Sequence, residues 1–447
     1  MMYFQQFQTK LTTLLNSSQK TVLRHLIAAT KKIDQIFVEQ ISKDNYGYPR
    51  RIRKEEILEQ SQRNKLLLSH YTIVKRTSHN QLKAIRYEKH YRSQLIFIAK
   101  HLDEASKICK NEEFKNFLNQ KGKDLLEGRY LRGETMWVKM KNNYPINLAI
   151  GPLLTYHDRF FGIKTFYSSA VYLRDLKKEA FYQKIVEKIR KRSSQIISPF
   201  PDFIPKEERV EVGDVVAYGG EVAKMKATAW SRPSAQTESR QIIQKYGSKK
   251  ILFENMIKLR FKKLALLLYK KLFSSPSSVK NLLNNAVLGT LLHEIGHGYG
   301  QYKNATSRLE NLFWQFEELK CDLFALCISY DLIKENLISE KDHCLLIKSI
   351  ICDILAQYKL AQKIKERKSH AYSTQYLITS LIKDGVLHPE KNRYRIDYFL
   401  LKENSKNYLH EILKILSLFS KQEAKRFIKM TKSNVKRLGA DKILKSL

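Results

Sequence analysis

Apolar positions recur at helical spacing over most of the chain. Leu23, Leu26, Ile27, Ile33 and Phe37 form one stripe, and Leu95, Ile98, Leu102, Ala105 and Cys109 form another. Residues 11–42 and 55–130 are therefore predicted to be mostly helical. A turn at 45–49 and a solvated basic face at 50–54 separate them. Near residue 136 the pattern shortens to alternation. Residues 136–140 and 167–173 read as strands, and 209–230 continue the texture with Val210, Val212, Val215, Val216 and a Gly219-Gly220 turn. A charged helix at 177–194 and a proline-rich loop at 198–205 lie between. From Glu238 the pattern is helical almost to the end, with helices near 250–273, 279–297, 307–334, 344–367, 370–383 and 405–418 and a basic last stretch, 421–447. The expected fold class is α+β and mostly α-helical. Residues 1–135 form an N-terminal helical region, 136–235 a β-containing lobe and 236–447 a second helical lobe.

Composition narrows the class. The 447 residues are 43% apolar, enough for a sizeable core and too many for a disordered chain. No apolar run reaches membrane-spanning length, since 264–269 is cut off by Lys270 and Lys271. Gln5, Gln6, Gln8 and Lys10 interrupt the stretch a signal peptide would need, so the expected location is the cytoplasm. Five cysteines without a C-x-x-C pair fit reduced thiols there. The net charge of +37 would suit nucleic acid, an anionic membrane surface or acidic substrates. The cations are scattered through nearly every helix, are mostly Lys, and are not interleaved with aromatics as a nucleic-acid motif requires.

The chemistry concentrates in Leu291-Leu292-His293-Glu294-Ile295-Gly296-His297-Gly298. On a helix His293 and His297 stand one turn apart and project from one face toward a shared ion. Glu294 sits beside them as a base for a water activated by zinc. Leu283, Val287, Leu291 and Ile295 form an apolar stripe on another side, and Gly298 is placed to end the helix in the left-handed conformation. With 12 His in the chain, this motif arises by chance only about 0.02 times per sequence of this length.

A zinc hydrolase needs a third protein ligand. One pattern, a Gly and a His three and six residues after the second histidine, fails because Lys303 occupies the ligand position. The other takes a glutamate from a later helix. There Leu312, Phe316, Leu319, Leu323, Leu326 and Tyr330 make an apolar face, and Glu318 and Asp322 share another face one turn apart. Glu318 is the expected third ligand of a single zinc. Asp322 is expected to orient a histidine N–H, with Glu317 as a further candidate for that task.

H-E-I-G-H-G followed by E-E-L-K-C-D resembles the dipeptidyl-peptidase III family of zinc metallopeptidases, especially its bacterial branch. Three further stretches agree: residues 151–158 with Phe161-Gly162, residues 247–255, and Ser369-His370 ahead of Lys383-Asp384-Gly385. The resemblance runs from about residue 15 to 430. It implies two lobes around a wide cleft, hydrolysis of short peptides, Tyr156 reaching the substrate carbonyl and His370 stabilising the oxyanion. The family's substrate-binding acids around the tyrosine are replaced by Leu154 and Ser168, and its peptide-binding asparagines by Ser231 and Ser234. The histidine spacing is also one residue shorter than in many relatives. The resemblance therefore implies a zinc peptidase of altered specificity, and the net charge of +37 makes acidic peptides the expected substrates. Two rival readings are a basic nucleic-acid-binding protein and a non-catalytic peptide-binding module on the same scaffold.

Overall fold

The computed structural model describes residues 2–42, 46–197, 206–233, 237–273, 276, 278–363, 368–391 and 393–445, with backbone alone at 237–240 and 368. The fold is α+β and mostly helical. The chain forms two compact units. One comprises Met1–Lys177, Glu211–Ala227 and Pro233–Tyr246; the other comprises Lys178–Val210, Thr228–Arg232 and Gly247–Leu447.

In the first unit the helices Ser17–Ser42, Arg92–Ile108 and Glu112–Glu127 pack in sequence. Leu95, Ile98, Leu102, Ala105 and Cys109 are all buried, as their spacing predicts. Strands β1 (Gln5–Gln6), β2 (Thr72–Arg76), β3 (Leu82–Arg86), β4 (Ile146–Leu154), β5 (Phe166–Arg174) and β6 (Glu208–Gly220) follow. β5 pairs antiparallel with β4 on one side and β6 on the other, and β1 pairs with β6. β4 and β5 are buried along nearly their whole length because the helix Ser17–Ser42 covers one face. The antiparallel hairpin β2–β3 closes a smaller core of Tyr48, Ile52, Ile57, Leu67, Val74 and Leu82.

The second unit is built around the helix Phe313–Lys334, which packs against Val279–Gly296, Glu340–Ala361, Lys368–Lys383 and Tyr398–Leu418. Residues on nearly every side of this central helix are buried, including Phe316, Leu319, Leu323 and Leu326. Gly296 permits its close approach: a Cβ there would lie 3.0 Å from Cys321 Cα. The antiparallel pairs β7 (Ala229–Arg232) with β8 (Ser248–Phe253) and β9 (Leu387–Glu390) with β10 (Arg393–Ile396) complete the unit. Among the described residues no helix is long and apolar enough to cross a membrane.

Some expected elements differ. Residues 136–140 fall mostly in a helix, Leu131–Lys139, whose buried positions Gly133, Glu134, Trp137 and Val138 follow a helical period. Five residues of alternation also satisfy that period, and Trp137 is fixed by its Nε1–H donating to Asn147 Oδ1 at 3.1 Å. The hairpin β2–β3 interrupts the region read as mostly helical, and β8 and the β9–β10 hairpin interrupt the C-terminal helices. The proline-rich loop 198–205 lies outside the described residues.

Candidate metal centre

Leu283, Val287, Leu291 and Ile295 anchor the helix Val279–Gly296 in the core and leave His293 half-buried on another side. His297 stands just past the helix, at its C-cap. Gly298 N–H donates to Ile295 O at 2.8 Å and Tyr299 N–H to Gly296 O at 3.2 Å, tightening the exit. The left-handed residue is Gly300, with φ 65°, rather than Gly298. A Cβ on Gly300 would also approach Leu413 Cδ2 to 2.7 Å. The two imidazoles end with ring centroids 5.1 Å apart, inclined at 82°.

The central helix Phe313–Lys334 brings its acids to these rings. His293 Nδ1 lies 2.8 Å from Asp322 Oδ1, and His297 Nδ1 lies 3.0 Å from Glu317 Oε1. His293 Nε2 is 3.4 Å from Glu318 Oε2, which is also 3.6 Å from His370 Nδ1. Glu294, Glu317, Glu318 and Asp322 are all buried. The structure thus gathers His293, His297, Glu317, Glu318, Asp322 and His370 in one place.

Three neighbours, Gln301, Lys320 and Ser373, escaped the sequence reading, and Cys321 is near the expected ligand Glu318 in sequence as well. Glu317 Oε1 also accepts from Lys320 Nζ at 2.8 Å and from Gln301 Nε2 at 2.9 Å. Lys320, itself buried, donates again to Tyr299 O. Its position three residues after Glu317 was a usable signal. Cys321 Sγ lies 3.2 Å from His297 Nδ1, and one donor atom from each of His293, His297 and Cys321 falls within 4.8 Å of the others. Ser373 Oγ–H donates to Asp322 Oδ2 at 2.5 Å. Nothing in the sequence marked Ser373 or Gln301.

The electrostatics follow from this crowding. Burial pulls the His293 imidazole toward neutrality, but hydrogen bonds to Asp322 and Glu318 outweigh it and hold its pKa well above the usual value. Burial likewise works against ionised Glu318, yet His370 and His293 keep its carboxyl below the ordinary range. For Glu317 the opposing cation is chiefly Lys320, and again the carboxyl pKa is lowered. Burial pushes the Cys321 thiol well up. Imidazole nitrogen and carboxylate oxygen are zinc donors, and both histidines have Nδ1 on a carboxylate, the arrangement that fixes a metal-binding imidazole. Buried carboxylates at this density also need a cation. The donor set fits zinc.

The remaining expected site residues belong to other elements. In the first unit, Tyr156 is half-buried in the loop after β4. Leu154 is buried opposite Phe166, and Ser168 opposite Gly151 with its Oγ fully buried and without a hydrogen-bond partner among the described residues. Next to Tyr156, the side chain and backbone N–H of His157 both meet Glu221 Oε1, at 2.6 and 3.0 Å. In the second unit, Ser231 on β7 accepts from Lys250 Nζ at 2.9 Å. Ser234 lies outside the described residues.

The mostly helical α+β architecture is that of two solved structures. Dipeptidyl-peptidase III from Corallococcus sp. strain EGB superposes with a TM-score of 0.83 over 99% of this chain and 93% of that one, at 14% identity. DPP III from Caldithrix abyssi gives 0.78 over 96% and 94%, at 17% identity. The chain therefore has the dipeptidyl-peptidase III fold. Among curated proteins, Nudix hydrolase 3 of Arabidopsis thaliana is 21% identical over 351 residues, covering 76% of this chain. The match spans 44% of that longer protein. No protein-family model matches the chain.

Proposed function

We propose that the chain is a zinc-dependent peptidase of the dipeptidyl-peptidase III type, acting on short peptides with one zinc held by His293, His297 and Glu318. The observation that carries this reading is the pairing of both imidazoles, through Nδ1, with Asp322 and Glu317, while His293 Nε2 faces Glu318. Zinc held by these residues would lower the pKa of a water and polarise the scissile carbonyl. Asp322 and Glu317 hold the tautomer and tilt of the imidazoles. Glu294 takes the proton of the attacking water and returns it to the leaving amine. His370, beside Glu318, donates to the developing oxyanion. A similar role for Tyr156 rests on the likeness of its segment alone. So does substrate contact by Leu154, Ser168, Ser231 and Ser234, none of which offers a charge.

Metal analysis and one substitution test the proposal. Purified protein should carry about one equivalent of zinc, lost in His293→Ala. Glu294→Gln is nearly isosteric and should keep the metal while losing roughly 10²–10⁴-fold in turnover. A folded wild type that takes up no zinc, or a fully active Glu294→Gln, would overturn it.

A further inference from the structure

The helix Lys421–Arg437 concentrates the chain's charge on one exposed face. Its 17 residues carry Lys421, Lys425, Arg426, Lys429, Lys432, Lys436 and Arg437 against a single acid, Glu423. That is a net of +6, about four times the density implied by +37 over 447 residues. The spacing is not random. Lys425, Lys429, Lys432 and Lys436 follow one another at four, three and four residues, so they share one face of the helix. All four are exposed, and none of the described acids lies within ion-pair distance of them. Lys421, by contrast, pairs with Glu310, and Glu423 is engaged as the helix cap with Ser420.

The opposite face is already occupied. Ala424, Phe427, Ile428, Thr431 and Val435 are buried. Phe427 meets Phe316 and Tyr376, and Thr431 meets Tyr372. The helix therefore has no apolar face left to lay into a bilayer, as a membrane-surface helix needs. No aromatic side chain of this helix is exposed, so stacking on bases has no platform. Four ammoniums in a row over roughly 16 Å of helix remain. Duplex nucleic acid presents a phosphate charge about every 1.7 Å of its axis, which such a row can track without reading sequence.

We propose that the Lys425–Lys429–Lys432–Lys436 row is a binding surface for the phosphate backbone of nucleic acid, independent of base sequence. Neutralising four phosphates sets the salt dependence: log K against log salt should be steeper by about 3.6 than without the row. The test titrates the full-length protein with a fluorescent duplex DNA from 50 to 200 mM NaCl. Wild type is compared with a variant carrying Lys425→Gln, Lys429→Gln, Lys432→Gln and Lys436→Gln. A control carries Lys184→Gln, Lys188→Gln and Lys191→Gln on the helix Leu176–Ile196, which also bears exposed lysines. The expected result is a slope reduced by about three to four in the first variant and nearly unchanged in the control. Melting temperature and zinc content check that both variants fold. Absence of wild-type binding at 50 mM salt would overturn the proposal. So would a loss per lysine that is equal in the two variants, which would mean net charge alone, or tighter binding to phosphatidylserine vesicles than to DNA.

Discussion

Ser373 is buried and donates to Asp322 Oδ2, while Asp322 Oδ1 meets His293 Nδ1. One hydroxyl thus fixes the carboxylate that fixes an imidazole, and it does so from the helix that also carries His370. Removing it should loosen His293 without removing any ligand. On the proposed function, Ser373→Ala should weaken zinc binding by about tenfold, the lower end of what loss of an outer hydrogen-bond partner costs a metal site. Ser373→Thr, which keeps the hydroxyl, should recover most of it. Competition against a chromophoric chelator reads both, and an Ala variant with wild-type affinity would remove Ser373 from the relay. Residues of this kind explain where sequence legibility stopped. His293, Glu294 and His297 were marked by spacing within a single turn, and Glu318 and Asp322 by spacing on the next helix. Ser373 lies 51 positions from the carboxylate it contacts. No local pattern encodes that contact, which exists only once the two helices are packed. The same holds for Gln301.

At the level of elements, long amphipathic stripes were legible because one buried face repeated over three or more turns. The hairpins β2–β3 and β9–β10 were not, because strands of four or five residues give too few alternations to beat a helical period. The central helix Phe313–Lys334 hid another feature, since burial on nearly all sides forces polar partners onto it from outside. One is His343, in the first turn of the helix Glu340–Ala361. It is buried, its Nε2 lies 3.0 Å from Ser329 Oγ, and burial depresses its pKa to about 4. The folded state therefore resists protonation that the unfolded chain accepts near 6.5. Between pH 6.5 and 4 the unfolded state binds more protons, so stability falls as pH falls through that window. Carried across that whole window, the effect amounts to about 3 kcal/mol. His343→Gln should lose this slope, which denaturant midpoints at pH 7, 5.5 and 4.5 would show against wild type. Parallel curves for the two proteins would mean that the imidazole is charged or solvated when folded.

For the molecule as a whole, the charge that composition announced bears on substrate choice as well as on the basic helix. A peptidase that counts from a free N-terminus does so by pairing the α-ammonium with fixed acids. Loss of such a charge-assisted hydrogen bond costs roughly 1.5–3 kcal/mol, or about 10- to 150-fold in selectivity. Leu154 and Ser168, which stand where the resemblance places those acids, are buried and uncharged. A surface of net +37 adds a field that repels ammonium groups and draws carboxylates. On the proposed function, a peptide and its N-acetylated form should then be cleaved with kcat/KM values of the same order. Acidic peptides should be cleaved faster than basic ones of equal length, and should lose more rate as salt rises, because screening beyond about 10 Å at 0.1 M removes the long-range attraction. Measuring kcat/KM for one sequence free and capped, and for acidic and basic variants at 20 and 200 mM NaCl, separates the two effects. A free-to-capped ratio above about 100 would show an amine anchor supplied by other residues. Equal salt dependence for acidic and basic peptides would show that the field of the surface does not reach the substrate.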